Sequence, residues 1–205
     1  MSTPTNKPAV KPTLPAASRL VDEIRALFAE GLPEAQLWSR IEQAMRRLLA
    51  DPALKERAQG WPATVESAPT VRNLLFYEDP DYGFVFNATV RQPNVVTSVH
   101  DHGAVWTLYG LIEGRETMYR YERTDGGPPD SGPATLEMVG RHSIGPGDID
   151  IVAPGKIHQE HAGPERSISF IVRARRPGTF PQHNYDPATG AVTVTHGPPQ
   201  MLHEL

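Results

Sequence analysis

Apolar positions along the chain follow two different periods, and the change between them falls near residue 60. Before that point they recur at helical spacing, in a first stripe made of Leu20, Val21, Ile24, Leu27 and Phe28. The second stripe is made of Leu37, Trp38, Ile41, Met45, Leu48 and Leu49. This spacing predicts two amphipathic helices whose apolar faces pack on the rest of the protein. Ser18 is a candidate cap for the first helix, and Gly31 followed by Pro33 can end it.

After residue 60 the apolar period shortens to two. Segments such as "YGFVFNATV", "VWTLYGLIEG", "ETMYRYER" and "RSISFIVRAR" alternate in the way of strands, and "YEDPDYG", "TDGGPPDSGP" and "IGPGD" separate them as turns. Many short strands at regular spacing predict a mainly β barrel or sandwich. The 21 prolines and 17 glycines agree with many turns.

The two periods divide the chain into three parts. Residues 1–17 contain repeated prolines and little apolar mass, which predicts a disordered tail. Residues 18–60 form the predicted helical extension, and residues 61–205 form the predicted barrel. We therefore expect one domain with two N-terminal helices.

Composition excludes several classes of function. The formal net charge is −4, so a nucleic-acid-binding face is not expected. No window is as long and apolar as a membrane helix, and the N-terminus lacks the apolar core of a secretory signal. The absence of cysteine excludes disulfides, thiolate metal ligands and cysteine nucleophiles. We expect a cytoplasmic protein that is a monomer or a small homo-oligomer.

The candidate chemistry lies in "TSVHDHGAVW", where His100 and His102 are separated by one residue. On an extended strand residues i and i+2 point to the same face, so the two imidazoles can bind one metal ion. A third ligand is available at His158 in "PGKIHQEH", just after a predicted strand and a Pro-Gly turn. From the paired histidines alone, two surface residues are an equally good interpretation.

The surrounding residues resemble the two sequence motifs of the cupins. "HDHGAVWTLYGLIEG" places Gly114 where the first motif has its glycine, and Thr107 stands where many cupins have a fourth, glutamate ligand. Pro154, Gly155 and His158 are similar to the second motif. The resemblance implies a single double-stranded β-helix, or jelly-roll, barrel. It also implies a metal held by three neutral imidazoles, with coordination positions left open for other ligands.

Several segments resemble the cysteine dioxygenase family of thiol dioxygenases more closely. They are "VRNLLFY", "SVHDHG", "LIEGRETMYRYE", "HSIGPGDIDIVAPGKIHQEH" and "NYDPATGAVTVTH", in that order over roughly residues 65–197. The resemblance implies that His100, His102 and His158 hold a mononuclear non-haem Fe(II). It also implies that Arg72 binds the substrate carboxylate and that O2 oxidises a small thiol to its sulfinate. An arginine suits this role because its planar fork pairs with a carboxylate bidentately.

The chain departs from that family at three positions. Thr107 replaces a cysteine that animal members cross-link to a tyrosine, and Ile171 and Arg173 replace the histidine and tyrosine of a late-strand Ser-x-His-x-Tyr pattern. Ser169, Ile171 and Arg173 alternate onto one face, which in the family points into the barrel. Arg72 and Arg173 together could hold a substrate with two carboxylates, such as mercaptosuccinate. Arg173 could instead pair with an acidic residue of the core.

Three hypotheses about function follow. The first is a thiol dioxygenase for a small carboxylate-bearing thiol of the cysteine, 3-mercaptopropionate or mercaptosuccinate type. The second is a three-histidine cupin with other dioxygenase or isomerase chemistry, and the third is a non-enzymatic cupin that binds a small molecule. The other histidines are expected to be surface or packing residues, and His161 is expected on the opposite face from His158.

Overall fold

The computed structural model describes residues 10–65 and 72–205 of the chain. Within these residues, the helices are α1 (Pro15–Ala29), α2 (Glu34–Leu49) and α3 (Pro52–Gln59). The strands are β1 (Asn73–Glu78), β2 (Val85–Arg91), β3 (Val99–His100), β4 (Thr107–Glu113), β5 (Glu116–Arg123), β6 (Leu136–Ile144), β7 (Ile149–Val152), β8 (Ile157–Ala162), β9 (Ser167–Arg173), β10 (Gln182–Tyr185), β11 (Val192–Thr195) and β12 (Gln200–Leu202). No helix in this described part is long and apolar enough to cross a membrane.

The N-terminal helices differ in detail from the sequence prediction. α1 begins at Pro15 rather than at Ser18, because Pro15 has the backbone angle of a first helical residue and Leu14 and Ala16 are already buried. Residues 15–17 of the predicted tail therefore belong to α1, while residues 1–9 lie outside the described residues. The short helix α3 was not predicted; Asp51 caps it by accepting a hydrogen bond from the Ala53 amide at 2.8 Å.

The strands form two six-stranded sheets. The order in the first sheet is β12-β1-β2-β9-β4-β7, and the order in the second is β11-β10-β3-β8-β5-β6. Between β2 and β9 the chain crosses repeatedly from one sheet to the other: β2, β4, β7 and β9 lie in the first sheet, and β3, β5, β6 and β8 lie in the second. This interleaved order is that of a double-sheet jelly roll, the architecture of cupins. The predicted mainly β class and single barrel are confirmed.

The two faces of the first sheet have different surroundings. In β2, Phe86, Ala88 and Val90 belong to one apolar core with the helices. The alternate residues of the same strand, Asn87 and Arg91, are also buried, but on the barrel side of the sheet. The barrel interior is therefore partly polar, and the main apolar core lies between the first sheet and the helices.

Gly110 of β4 marks the closest approach of α2 to the sheet. A Cβ at this position would lie 2.6 Å from both Leu49 Cδ1 and Met45 Cε. We expect Gly110→Ala to destabilise the fold by about 1–3 kcal/mol, because the helix side chains must leave their packed positions. Urea unfolding measures this loss. Gly140→Ala in β6 is the matched control, since a Cβ there meets nothing within 4 Å; equal losses for both variants would contradict the packing explanation.

The edge strand β6 contains a bulge. Gly140 pairs with Arg120 and Met138 pairs with Tyr121, so that Val139 is an extra residue on the β6 side. Met138 and Val139 are both exposed, at 54% and 50%. The bulge therefore falls on the most apolar exposed part of this edge.

Candidate metal centre

Three histidines meet inside the barrel, as the sequence predicted. His100 at the end of β3 pairs in register with His158 of β8, and His102 follows two residues after His100. The ligand nitrogens of the three side chains all lie within 4.8 Å of one another. His102 and His158 are buried, and His100 is partly exposed. This group, which we call the histidine cluster, could hold a metal ion.

Hydrogen bonds orient two of the three rings. The Nδ1 atom of His100 lies 3.0 Å from the Ser98 carbonyl, and the Nδ1 atom of His158 lies 3.4 Å from the Lys156 carbonyl. Because a carbonyl only accepts, these Nδ1 atoms carry the protons and leave the Nε2 lone pairs free. His158 Nε2 is buried and has no hydrogen-bond partner among the described residues. An orphaned imidazole nitrogen facing two other imidazoles fits a transition-metal ligand.

Burial keeps His100 and His102 uncharged at neutral pH. It lowers the pKa of His100 to about 4, and the neighbouring His158 acts in the same direction. Burial, followed by Arg173, also holds the pKa of His102 well below its ordinary value. Neutral imidazole is the form that binds metals, so protons compete weakly for these two residues.

Arg173 and Tyr109 lie directly against His102. The Arg173 guanidinium donates to His102 Nδ1 at 3.3 Å and to the Tyr109 hydroxyl at 3.1 Å. With Nδ1 accepting, neutral His102 carries its proton on Nε2, which lies 2.9 Å from that hydroxyl, so a metal bound through either nitrogen would replace one of these two contacts. Burial raises the pKa of Tyr109, which keeps the phenol neutral. Arg173 is only 3% exposed and forms no ion pair with a carboxylate in residues 10–65 and 72–205. A buried arginine of this kind is ready to bind an anion.

A buried charged network lies on the other side of His158. Arg91 donates to both oxygens of Glu116 at 2.8 Å and to Glu160 at 3.2 Å. All three side chains are at most 3% exposed. Burial alone would raise the pKa of Glu160, but His158, His100 and Arg91 outweigh burial and hold it well below the ordinary value. Two carboxylates thus share one guanidinium, which leaves an excess of negative charge. The Oε1 atom of Glu160 lies 3.6 Å from His158 Nε2.

A second arginine faces the cluster from β5. Arg120 pairs in register with His158 and forms an ion pair with Asp150, which itself pairs in register with Tyr109. His142 Nε2 lies 2.9 Å from the same carboxylate. Arg120 Nη1 and Asp150 Oδ2 are buried and have no partner among the described residues. No motif in the sequence marks Arg120 or Asp150 as a site residue.

Arg72, unlike Arg173, is exposed. It precedes β1 by one residue, and its amide donates to the Thr64 carbonyl at 3.0 Å. No hydrogen bond joins it to the histidine cluster or to Arg173 within the described ranges. Its predicted role as the carboxylate-binding arginine stays a prediction.

The other residues of the late strand lie as their alternation predicted. Ser169 donates to Glu116 at 3.3 Å, and Ile171 packs with Tyr109 on the barrel side. Thr107 pairs in register with Arg173, and its hydroxyl is buried without a partner among the described residues. His161 is directed away from the cluster, where its ring contacts Tyr119 in a tilted arrangement with 4.3 Å between the ring centroids.

Comparisons with known proteins give no family. No family model matches the chain, and no curated protein matches it. Solved structures that are similar include the cupin domain of Cnp3 from Schizosaccharomyces pombe, with 8% identity over 51% of this chain and 64% of that chain and a TM-score of 0.39. An oxalate oxidase has 15% identity over 45% of this chain and 42% of that chain, with a TM-score of 0.35. The capsular polysaccharide assembling protein CapF from Staphylococcus aureus has 12% identity over 58% and 28%, with a TM-score of 0.39. The chain spans less than two thirds of each of these structures.

Proposed function

We propose that this protein is a mononuclear non-haem Fe(II) thiol dioxygenase of the cysteine dioxygenase type. Its substrate is a small thiol that carries a carboxylate, and its product is the sulfinate. The observation that carries the proposal is the buried Arg173, which lacks a carboxylate partner among the described residues and touches His102. An anion bound by Arg173 would therefore lie next to His102, and so beside a metal ion held by the histidine cluster.

The charges around the cluster support a cation and an anion as its two occupants. The excess negative charge of the network formed by Arg91, Glu116 and Glu160 favours a metal cation next to His158. Arg173, on the side of His102, favours the substrate carboxylate. His100, His102 and His158 would hold the metal through imidazole nitrogens, a ligand set that suits Fe as well as Zn, Cu and Ni.

The chain's own residues would orient the substrate and keep the pocket dry. When bound, the metal would lower the pKa of a coordinating thiol and allow both atoms of O2 to be transferred to the sulfur, which is oxidised while O2 is reduced. Arg173 would fix the carboxylate, and the neutral Tyr109 hydroxyl would offer a hydrogen bond beside it. Water would be excluded by buried apolar side chains that pack around Tyr109, among them Leu111, Met118, Val152 and Ile171.

The direct test is product analysis with the Fe(II)-loaded protein. We expect oxygen uptake with cysteine, 3-mercaptopropionate or mercaptosuccinate, and two labelled oxygen atoms in the sulfinate formed under ¹⁸O2. A marked preference for mercaptosuccinate would support a second anion-binding arginine beside Arg173, for which Arg72 and Arg120 are the two candidates. Oxygen uptake without sulfinate would favour other dioxygenase chemistry, and metal binding without turnover would favour a small-molecule-binding protein.

Arg173→Met is expected to lower kcat/KM for the carboxylate thiol by roughly a hundredfold, since losing a buried charge pair costs about 2–5 kcal/mol. The loss should be much smaller for a neutral thiol such as 2-mercaptoethanol, because that substrate has no group for the guanidinium. Arg175→Met, two residues further and exposed, is the control. Equal losses for charged and neutral thiols would contradict the assigned role.

A further inference from the structure

The strand that carries the paired histidines is held by very few backbone hydrogen bonds. β3 consists of Val99 and His100 alone, and it pairs with β10 at Tyr185 and Asn184. His102 lies beyond the end of β3 and outside the ladder. A two-residue strand cannot by itself fix the distance between two side chains that must bind the same ion.

Asp101, between the two histidines, supplies the missing restraint. Asp101 is 1% exposed, and its carboxylate accepts hydrogen bonds from the amides of Gly103 at 2.8 Å and His183 at 3.1 Å. It also accepts from His183 Nδ1 at 2.9 Å and from the Tyr185 hydroxyl at 2.9 Å. The Asp101 amide in turn donates to the His183 carbonyl at 3.0 Å. Three donors on β10, from His183 and Tyr185, are thus directed at one side chain.

The turn after Asp101 is equally restricted. Gly103 has a φ of +53°, and a Cβ there would lie 2.3 Å from the Pro181 carbonyl oxygen. The chain around His102 therefore passes against the segment that leads into β10, at a distance that only glycine permits. The backbone on both sides of His102 is positioned by the C-terminal part of the chain.

We propose that Asp101 is a positioning residue that holds His100 and His102 at the separation a metal ion requires, through His183 and Tyr185 of β10. The inference rests on the proposed metal site. It adds that the affinity of the site is set by β10, which contributes no ligand. Asp101 acts through the backbone of its neighbours and does not touch the bound ion.

The test compares Asp101→Asn with a matched variant, Asp79→Asn. Asp79 is also buried and accepts from two amides, a tyrosine hydroxyl and a charged side chain, but it lies at the turn between β1 and β2. The affinity for Co(II) is measured by titration with the visible spectrum as readout. Urea unfolding of the same proteins without added metal reports stability.

We expect both variants to lose stability, and only Asp101→Asn to lose Co(II) affinity, by about tenfold or more. Tyr185→Phe removes one donor and should give a smaller loss in the same direction, which keeps the test decisive if Asp101→Asn does not fold. If Asp101→Asn folds and binds Co(II) as tightly as the wild type, this inference is overturned while the proposed function stands. If only Tyr185→Phe folds, the same result for that variant overturns it. A wild-type protein that binds no Co(II) would overturn the proposed function and this inference together.

Discussion

Replacing His158 with alanine is expected to abolish stoichiometric metal binding and to lower kcat/KM by about a thousandfold or more. His158 is fully buried, its free Nε2 faces the other two histidines, and it is the ligand that comes from a different strand. A catalytic metal contributes several kcal/mol of transition-state stabilisation, and each ~1.4 kcal/mol corresponds to a factor of ten in rate. Metal content after Fe(II) loading and initial rates of oxygen uptake measure the two effects.

The control for this variant is His196→Ala. His196 is exposed and lies after β11, outside the histidine cluster, so its loss should change neither metal content nor rate. A His158→Ala protein that folds, binds one equivalent of iron and turns over normally would contradict the assigned metal centre.

The second large effect concerns the buried charges. Arg91→Met is expected to reduce the free energy of unfolding by about 3–5 kcal/mol at neutral pH, because it leaves Glu116 and Glu160 buried without their cation. Urea unfolding of the protein without added metal measures the loss. Arg47→Met, which removes an exposed pair with Glu23, should change stability by less than about 1 kcal/mol.

The pH dependence of the Arg91→Met effect has a definite sign. Without Arg91, the pKa of Glu160 in the folded variant should be higher than in the folded wild type, because one of the charges that holds it down is lost while burial still raises it. The folded variant then binds more protons than the folded wild type as pH falls, so the deficit shrinks. Adding Glu116→Gln and Glu160→Gln to Arg91→Met should recover much of the loss. A deficit that is independent of pH and not recovered by the triple variant would point to lost packing instead.

The histidine cluster was predictable from strand spacing together with the resemblance to the cupin motifs. The spacing of His100 and His102 indicated two ligands of one ion, and the Pro-Gly turn before His158 starts a strand that pairs with β3. The inward direction of Arg173 follows from the same alternation. In contrast, the exposed position of Arg72 depends on where β1 begins, and no pattern in "TVRNLLF" marks that boundary.

The charged residues around the cluster could not be found in the same way. In β2 and β5, polar residues alternate with apolar ones, which in a single sequence is the pattern of a strand with one face in solvent. Here the apolar face of β2 packs on the helices, and Arg91 is buried in the barrel beside Glu116 and Glu160. Which face is solvated depends on the long-range packing of α1 and α2 on the sheet.

Helix α3 and the hydrogen bonds from β10 to Asp101 were not predicted, for different reasons. α3 has only Leu54 and Ala58 as buried apolar residues, too few to give a period, although Asp51 followed by Pro52 is a start signal. His183 was expected at the surface or in packing, but its partner Asp101 is 82 residues away and joins it only through the pairing of β3 with β10.

The bulge at Val139 has a consequence for how the protein behaves at high concentration. A straight nine-residue edge that exposes Met138 and Val139 would be a template for adding a strand from another molecule, the first step toward fibrils. The extra residue bends β6 and breaks the regular row of amide and carbonyl groups at the most apolar point of the edge. Deleting Val139 would therefore regularise the sheet while opening a route to aggregation.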